Sequence, residues 1–344
     1  MSFLNKYHFH IEGIKDLSDN EYFIRFKTEG YFTKSSLGHF YPLLERLALI
    51  QGQFPLAPLK PSILTFVADH GISRANAEEH DSHEMILHIL AKPNYYLFQA
   101  EKKTLLNHRI VDLGTFNSDE NNSTFWMHRG QGLINARINS GSANFAEYPA
   151  MTTAQCEEAF AVGQKLVERE HYSGVNFLVL NSFGSGDDIA FFAIFAALED
   201  KSLLELWQAD SLNTYNLKFI EDLSKALRKH PISHDPFTIL SFYGSFETAA
   251  LCGAILKGAE KGISLVLNSP MSKVAAIIAA RVNPMVLDYC ILGQKGNLKL
   301  ENDLDPKKEP VFLDLSQTRF KEPINLRSHI QLLQDLIVEL GYKV

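Results

Sequence analysis

The chain of 344 residues has 46% hydrophobic and 21% charged residues and a formal net charge of -7, a balance found in folded globular proteins and not in disordered ones. An acidic chain without a basic face is not expected to bind nucleic acid, and no apolar run approaches the roughly 18 residues of a spanning helix, so no membrane partner is expected. The three cysteines, Cys156, Cys252 and Cys290, form no short pair of the kind that holds zinc or frames a disulfide scaffold; no metal is expected, and a start without a leader-like segment points to the cytoplasm.

In chain order, residues before about 60 contain no strand-like run. From there one pattern recurs: a short apolar run, a cluster of Gly, Asp, Asn or Ser, then a segment of helical period. The runs are 63–68, 110–113, 175–180, 238–242, 263–267, 285–292 and 311–315. The predicted helices are 153–170, 188–198, 217–228, 246–260, 272–280 and 326–340. Runs that are apolar at successive positions read as strands covered on both faces, as in a parallel sheet. The predicted fold is therefore α/β: a doubly wound, mostly parallel sheet over 60–325, with 1–59 and 326–344 joining as a small helical subdomain.

Ligands of such sheets lie beyond the carboxyl ends of the strands, where this sequence is polar. Asp69-His70-Gly71 offers a carboxylate and an imidazole, although a tight strand exit needs the same residue types. Gly184-Ser185-Gly186 precedes a helix and could aim amides at a phosphate; Asp187 and Asp188 there would repel an anion while capping the helix. Gly244, Ser245 and Glu247 are read as another strand-to-helix turn, with capping as the plainer explanation and nucleotide contact as the other. His80, His83 and His88 lie near Asp81 and Glu84, but a solvated helix face explains them better than a metal site.

Several segments resemble the nicotinate-nucleotide:dimethylbenzimidazole phosphoribosyltransferases. Thr33 to Gly38 is similar to that family's T-K-P-P-G-S-L-G, Phe66 to Gly71 to F-A-A-D-H-G, and Val111 to Gly114 to V-D-x-G. Arg137-Ile138 and Gly141-Ser142 resemble R-I and G-T. Pro149-Ala150-Met151-Thr152 reproduces P-A-M-T, and Phe246 to Ala250 resembles F-E-I-A-A. The resemblance implies a dimeric enzyme without metal or cofactor that moves phosphoribose from nicotinate mononucleotide to 5,6-dimethylbenzimidazole, for the lower ligand of cobamides. By position Met85, Leu87 and His88 would line the pocket for the base, while Asp69, His70, Gly71, Ser182, Gly184, Gly186, Gly244, Ser245 and Asn268 would meet substrate.

The sequence departs from the family at that rim. The family's G-E-M-G-I-G-N becomes Asn181 to Asp187, with Ser182 in the carboxylate's place, and D-G-F-I becomes Asn268-Ser269-Pro270-Met271. The polar H-x-S-x-E-x-G-H stretch becomes Gln294 to Leu298. In the C-terminal G-E-G-T-G-A, counted from Leu313-Asp314-Leu315, Lys321 takes the catalytic glutamate's place and Glu322 follows it. Two readings result: an enzyme with Glu322 as the base, or a relative that binds a nucleotide or base without turnover.

Overall fold

Six strands, β1 (Pro61–Ala68), β2 (Asn107–Gly114), β3 (Leu133–Asn135), β4 (Phe177–Phe183), β5 (Ser264–Leu267) and β6 (Cys290–Leu292), form one wholly parallel sheet in the order β3-β2-β1-β4-β5-β6. The computed structural model describes residues 7–28, 34–74, 82–91, 107–116, 132–199, 217–293, 313 and 324–343. The central strands are buried on both faces, which is why β1 reads as the continuous run PSILTFVA and not as an alternation.

The helices are α1 (Glu21–Thr28), α2 (Lys34–Leu37), α3 (Phe40–Gln51), α4 (Ser82–Ala91), α5 (Thr153–Tyr172), α6 (Asp187–Glu199), α7 (Leu217–Leu227), α8 (Pro236–Tyr243), α9 (Phe246–Glu260), α10 (Pro270–Val282) and α11 (Ile324–Lys343). Leu64, Phe66, Leu178, Leu180, Leu265 and Leu267 face the layer of α5, α6, α8, α9 and α10. The alternate residues Ile63, Phe177, Val179, Val266 and Ile291 face α3 and α11, packed with Phe23 and Phe26 of α1. Val67, Ile110 and Leu133 receive Ile86 and Leu90 of α4 on that second side. Among the described residues no helix is long and apolar enough to cross a membrane.

The chain leaves β1 towards α4 on one face and leaves β4 towards α6 on the other. Between these adjacent strands the connections diverge at the carboxyl edge, the place where such sheets hold their ligands.

Three sequence expectations change. Residues 238–242 are helix, not strand: Asp235 caps α8 by accepting from the Thr238 amide at 2.8 Å, and Pro236 opens the first turn. With Phe237, Ile239, Leu240 and Tyr243 buried and only Thr238 and Ser241 as polar residues, the eight residues of α8 are too few to reveal a helical period. Only the end of 285–292 is strand, because Pro284–Tyr289 is a 3-10 turn capped by Asn283. β3, of three residues, is too short to show a pattern. Of 311–315 only Leu313 lies among the described residues; its amide donates to the Leu292 carbonyl at 2.8 Å.

Helices α5 and α9 touch backbone to backbone. A Cβ on Gly163 would lie 1.8 Å from the Ala250 carbonyl oxygen, and one on Gly253 would lie 2.1 Å from that of Phe160. No rotamer change relieves such a clash, so Gly163→Ala should lower stability by about 3 kcal/mol or more. Urea unfolding of the variant checks this; an unchanged midpoint would refute the close packing.

Candidate active site

The exits of β1, β2 and β4 are tied together by one buried carboxylate. Asp69 is 2% exposed. Its Oδ1 accepts from the Ser185 amide and its Oδ2 from the Phe116 amide, each at 2.8 Å. Its own amide donates to the Gly114 carbonyl, and its carbonyl accepts from the Ser142 amide, both at 2.9 Å. Burial raises the Asp69 pKa, while hydrogen bonds from Ser82, Ser185 and Phe116 work against that rise. Gly71 follows because a Cβ there would sit 2.4 Å from the Ala143 carbonyl carbon.

The turn after β4 lies against this exit. A Cβ on Gly184 would fall 1.8 Å from the Ala68 carbonyl oxygen, so only glycine lets the two strands leave the sheet so close together. Gly186 has φ of +84°, the left-handed conformation that suits glycine. The His70 amide donates to the Ser185 carbonyl at 2.9 Å. Ser73 Oγ donates to the His70 carbonyl at 2.8 Å and lies 2.9 Å from Ser185 Oγ.

Beneath this turn, His70 Nε2 lies 3.1 Å from Glu247 Oε1, with the side chains 1% and 0% exposed. Thr248 Oγ1 donates to the same carboxylate oxygen at 2.6 Å. Burial disfavours charge on both partners, but each supplies the other's counter-charge: the His70 pKa is raised and that of Glu247 lowered, as in an ion pair. Asp187, half-buried at the start of α6, is pushed up to about 7 by burial, with His70 opposing the rise and Asp188 and Glu247 adding to it.

Sequence position alone casts Glu247 as a residue that favours its helix dipole. It is instead the partner of His70, and it arrives through a turn between two helices, α8 and α9. Gly244 is required there because a Cβ would meet the Leu240 carbonyl oxygen at 2.6 Å. Ser245 makes no side-chain cap bond; its Oγ points to the Asp69 carbonyl at 3.4 Å. Ser182 belongs to a neighbouring group, its Oγ 2.8 Å from that of Ser269, which caps α10. Asn268 precedes that cap and donates its amide to the Leu180 carbonyl.

On α4 the sheet-facing pair is Ile86 and Leu90; Met85 and Leu87 are half-buried and His88 is exposed. His83 is buried, whereas His80 and Asp81 lie outside the described residues. So do Glu322, Lys321 and 294–298. The Val111-Asp112-Leu113-Gly114 and Arg137-Ile138 segments meet in a structural ion pair: Arg137 Nη1 reaches Asp112 Oδ2 at 3.0 Å and Nη2 donates to the Thr115 carbonyl at 2.8 Å. Pro149 to Thr152 borders a cleft of about 1270 Å³, with Arg74, Ser142, Asp235 and Phe242 on other walls. That cleft excludes His70 and Glu247; its walls come from the loops that carry Gly141-Ser142 and Pro149 to Thr152, from the start of α5 and from α8. Thr152 and Gln155 form the capping box of α5 beside it.

Replacing Asp69 by Ala strips two amides of a charged acceptor and should cost about 3 kcal/mol. Denaturant unfolding tests this, and a loss within error would show that the carboxylate is not the tie. Asp187 is raised from 3.8 to about 7, so its ionisation works against the folded state as pH climbs through that window. Asp187→Asn should therefore melt higher than the parent above about pH 7 and alike near pH 4. Thermal melts at both pH values decide it; a gap of equal size at each would contradict the assignment.

A family model described as "Phosphoribosyltransferase" matches residues 29–300. The nicotinate-nucleotide–dimethylbenzimidazole phosphoribosyltransferase of Ralstonia nicotianae is 28% identical over 262 residues, covering 74% of this chain and 72% of the relative. That of Pseudomonas fluorescens is 28% identical over 295 residues, covering 84% and 78%. Among solved structures, the enzyme of that name from Thermus thermophilus superposes with a TM-score of 0.72 at 20% identity, covering 93% of this chain and 94% of the other, a likeness of fold alone. The match spans every strand of the sheet, and the chain belongs to this phosphoribosyltransferase family.

Proposed function

We propose that the protein transfers the phosphoribosyl group of nicotinate mononucleotide to 5,6-dimethylbenzimidazole or a similar base, releasing nicotinate, in the assembly of cobamide lower ligands. The observation that carries this reading is the glycine turn 184–187 at the divergence of β1 and β4, in a chain of this family. The relatives named above support the choice of donor and acceptor.

In this reading the phosphate lies against the turn and the start of α6. The Ser185 amide is already taken by Asp69 and that of Asp187 by the Gly184 carbonyl, which leaves the Gly186 amide of the turn to the ligand. Asp187, pushed up to about 7, stays largely protonated in mildly acidic solution and does not repel an anion there. Asp69, His70, Gly71, Gly184, Gly186, Gly244 and Ser245 shape the nucleotide side, and Ser182 and Asn268 border it along β4 and β5. Met85, Leu87 and His88 meet the flat base. A ring nitrogen of the base attacks C1′ as the bond from C1′ to the nicotinate nitrogen breaks, and the attacking ring's proton passes to Glu322. The protein acts as a homodimer in the cytoplasm, with 1–59 and 326–344 as its smaller helical part.

Purified protein incubated with nicotinate mononucleotide should release nicotinate and form α-ribazole phosphate only when the base is added, as read by chromatography. Glu322→Gln should cut turnover by about 100-fold or more while nucleotide affinity holds. Undiminished turnover would remove Glu322 from its role, and saturable binding without products would favour a carrier over an enzyme.

A further inference from the structure

We propose that His70, held from behind by Glu247, is the positioning residue of the 184–187 turn, which keeps its ligand-ready shape only while the imidazole is protonated. This rests on the reading above that the turn meets the nucleotide.

The turn is reached from the α9 side through two residues: Asp69, whose carbonyl meets Ser245 Oγ and whose carboxylate holds the Ser185 amide, and His70, whose ring meets Glu247. The His70 amide holds the Ser185 carbonyl at 2.9 Å, and Ser73 Oγ bridges the His70 carbonyl and Ser185 Oγ. A Cβ built on Gly186 would come 3.3 Å from that of His70, so main chain and side chain of one residue bracket the turn. The ring is 1% exposed and Glu247 is fully buried. Their contact at 3.1 Å lacks the alignment of a hydrogen bond, and Nδ1 has no partner among the described residues. Charge, more than bond direction, therefore holds the ring in place.

The groups whose charge reaches His70 are all acids: Glu247 on α9, Asp187 on α6 and Asp69 on its own segment, with Asp188 acting on Asp187. Around a neutral ring these carboxylates lose their shared counter-charge and repel one another in a poorly solvated space. Burial lowers the His70 pKa and the acids raise it, with a net rise. A raised histidine keeps its contribution at low pH and loses it as pH climbs through the raised value, so the anchor fails on the alkaline side. Asp187 sits at the junction, the first residue of α6 and part of the turn itself.

The test follows the His70 ring signal by NMR across pH in the parent, Glu247→Gln and His70→Gln proteins, beside calorimetric affinity for nicotinate mononucleotide. The nucleotide's own phosphate titrates identically with each protein, so differences belong to the chain. In the parent, affinity should fall at the midpoint where His70 loses its proton. Glu247→Gln should move both midpoints down together, leaving affinity near that of the parent below the variant's own His70 midpoint and about tenfold weaker between the two midpoints. His70→Gln should bind weakly at every pH, and a parent-like circular dichroism spectrum shows that each variant is folded. Affinity curves that ignore the His70 midpoint overturn the proposal. Hydrogen exchange at Ser185 and Asp187 without ligand separates the two levels. Exchange that rises with His70 deprotonation in a protein that binds no nucleotide supports the anchor and rejects the functional reading. Exchange indifferent to His70 rejects the anchor.

Discussion

A single carboxylate accepting amides from two different strand exits sets the geometry of the rim. Asp69 follows β1, Phe116 follows β2, and Ser185 follows β4, so its two oxygens fix three neighbouring exits at once. A buried acid is costly unless its oxygens are satisfied, and here the backbone satisfies them. The glycines are a consequence: with the exits of β1 and β4 this close no side chain fits at Gly184, and the 142–144 segment held by the Asp69 carbonyl leaves none at Gly71. Around that tie, α9 contributes Glu247 from the helical layer, and its position depends on the backbone contact between α9 and α5 at Gly163 and Gly253.

Electrostatically the rim is acidic at its base and neutral one strand over. Asp69, Asp187 and Glu247 gather around His70, whereas β4 and β5 present a serine pair, Ser182 and Ser269, and Asn268. A hydroxyl pair placed between β4 and the cap of α10 satisfies itself and carries no charge. The two halves of the rim thus differ, with titrating groups on one side and fixed dipoles on the other.

The doubly wound sheet was legible because its central strands, covered on both faces, leave unbroken apolar runs such as 63–68. The same rule failed at 238–242, where a short and largely buried helix leaves a mainly apolar run; Asp235-Pro236 was the local signal of a helix start. Asp69-His70-Gly71 and Gly184-Ser185-Gly186 were legible as strand exits, since strand order brings them side by side. Glu247 was not legible as a partner of His70, because its local role near the head of α9 already explained it and the contact is long-range. The cleft beside Thr152 was legible only in part: Gly141-Ser142 and Pro149 to Thr152 on its walls stood out as motifs, but no local pattern showed that they meet α8.

The carbonyl of Ala68 standing where a side chain of residue 184 would be has a consequence for descent. The turn takes its shape from main chain, from Asp69 and from His70, so the side chains one strand over, such as Ser182 and Asn268, carry little of that shape. A lineage can therefore exchange those side chains one at a time while the frame persists. Divergence along β4 and β5 beside an unaltered Asp69-His70-Gly71 is the record that such drift would leave.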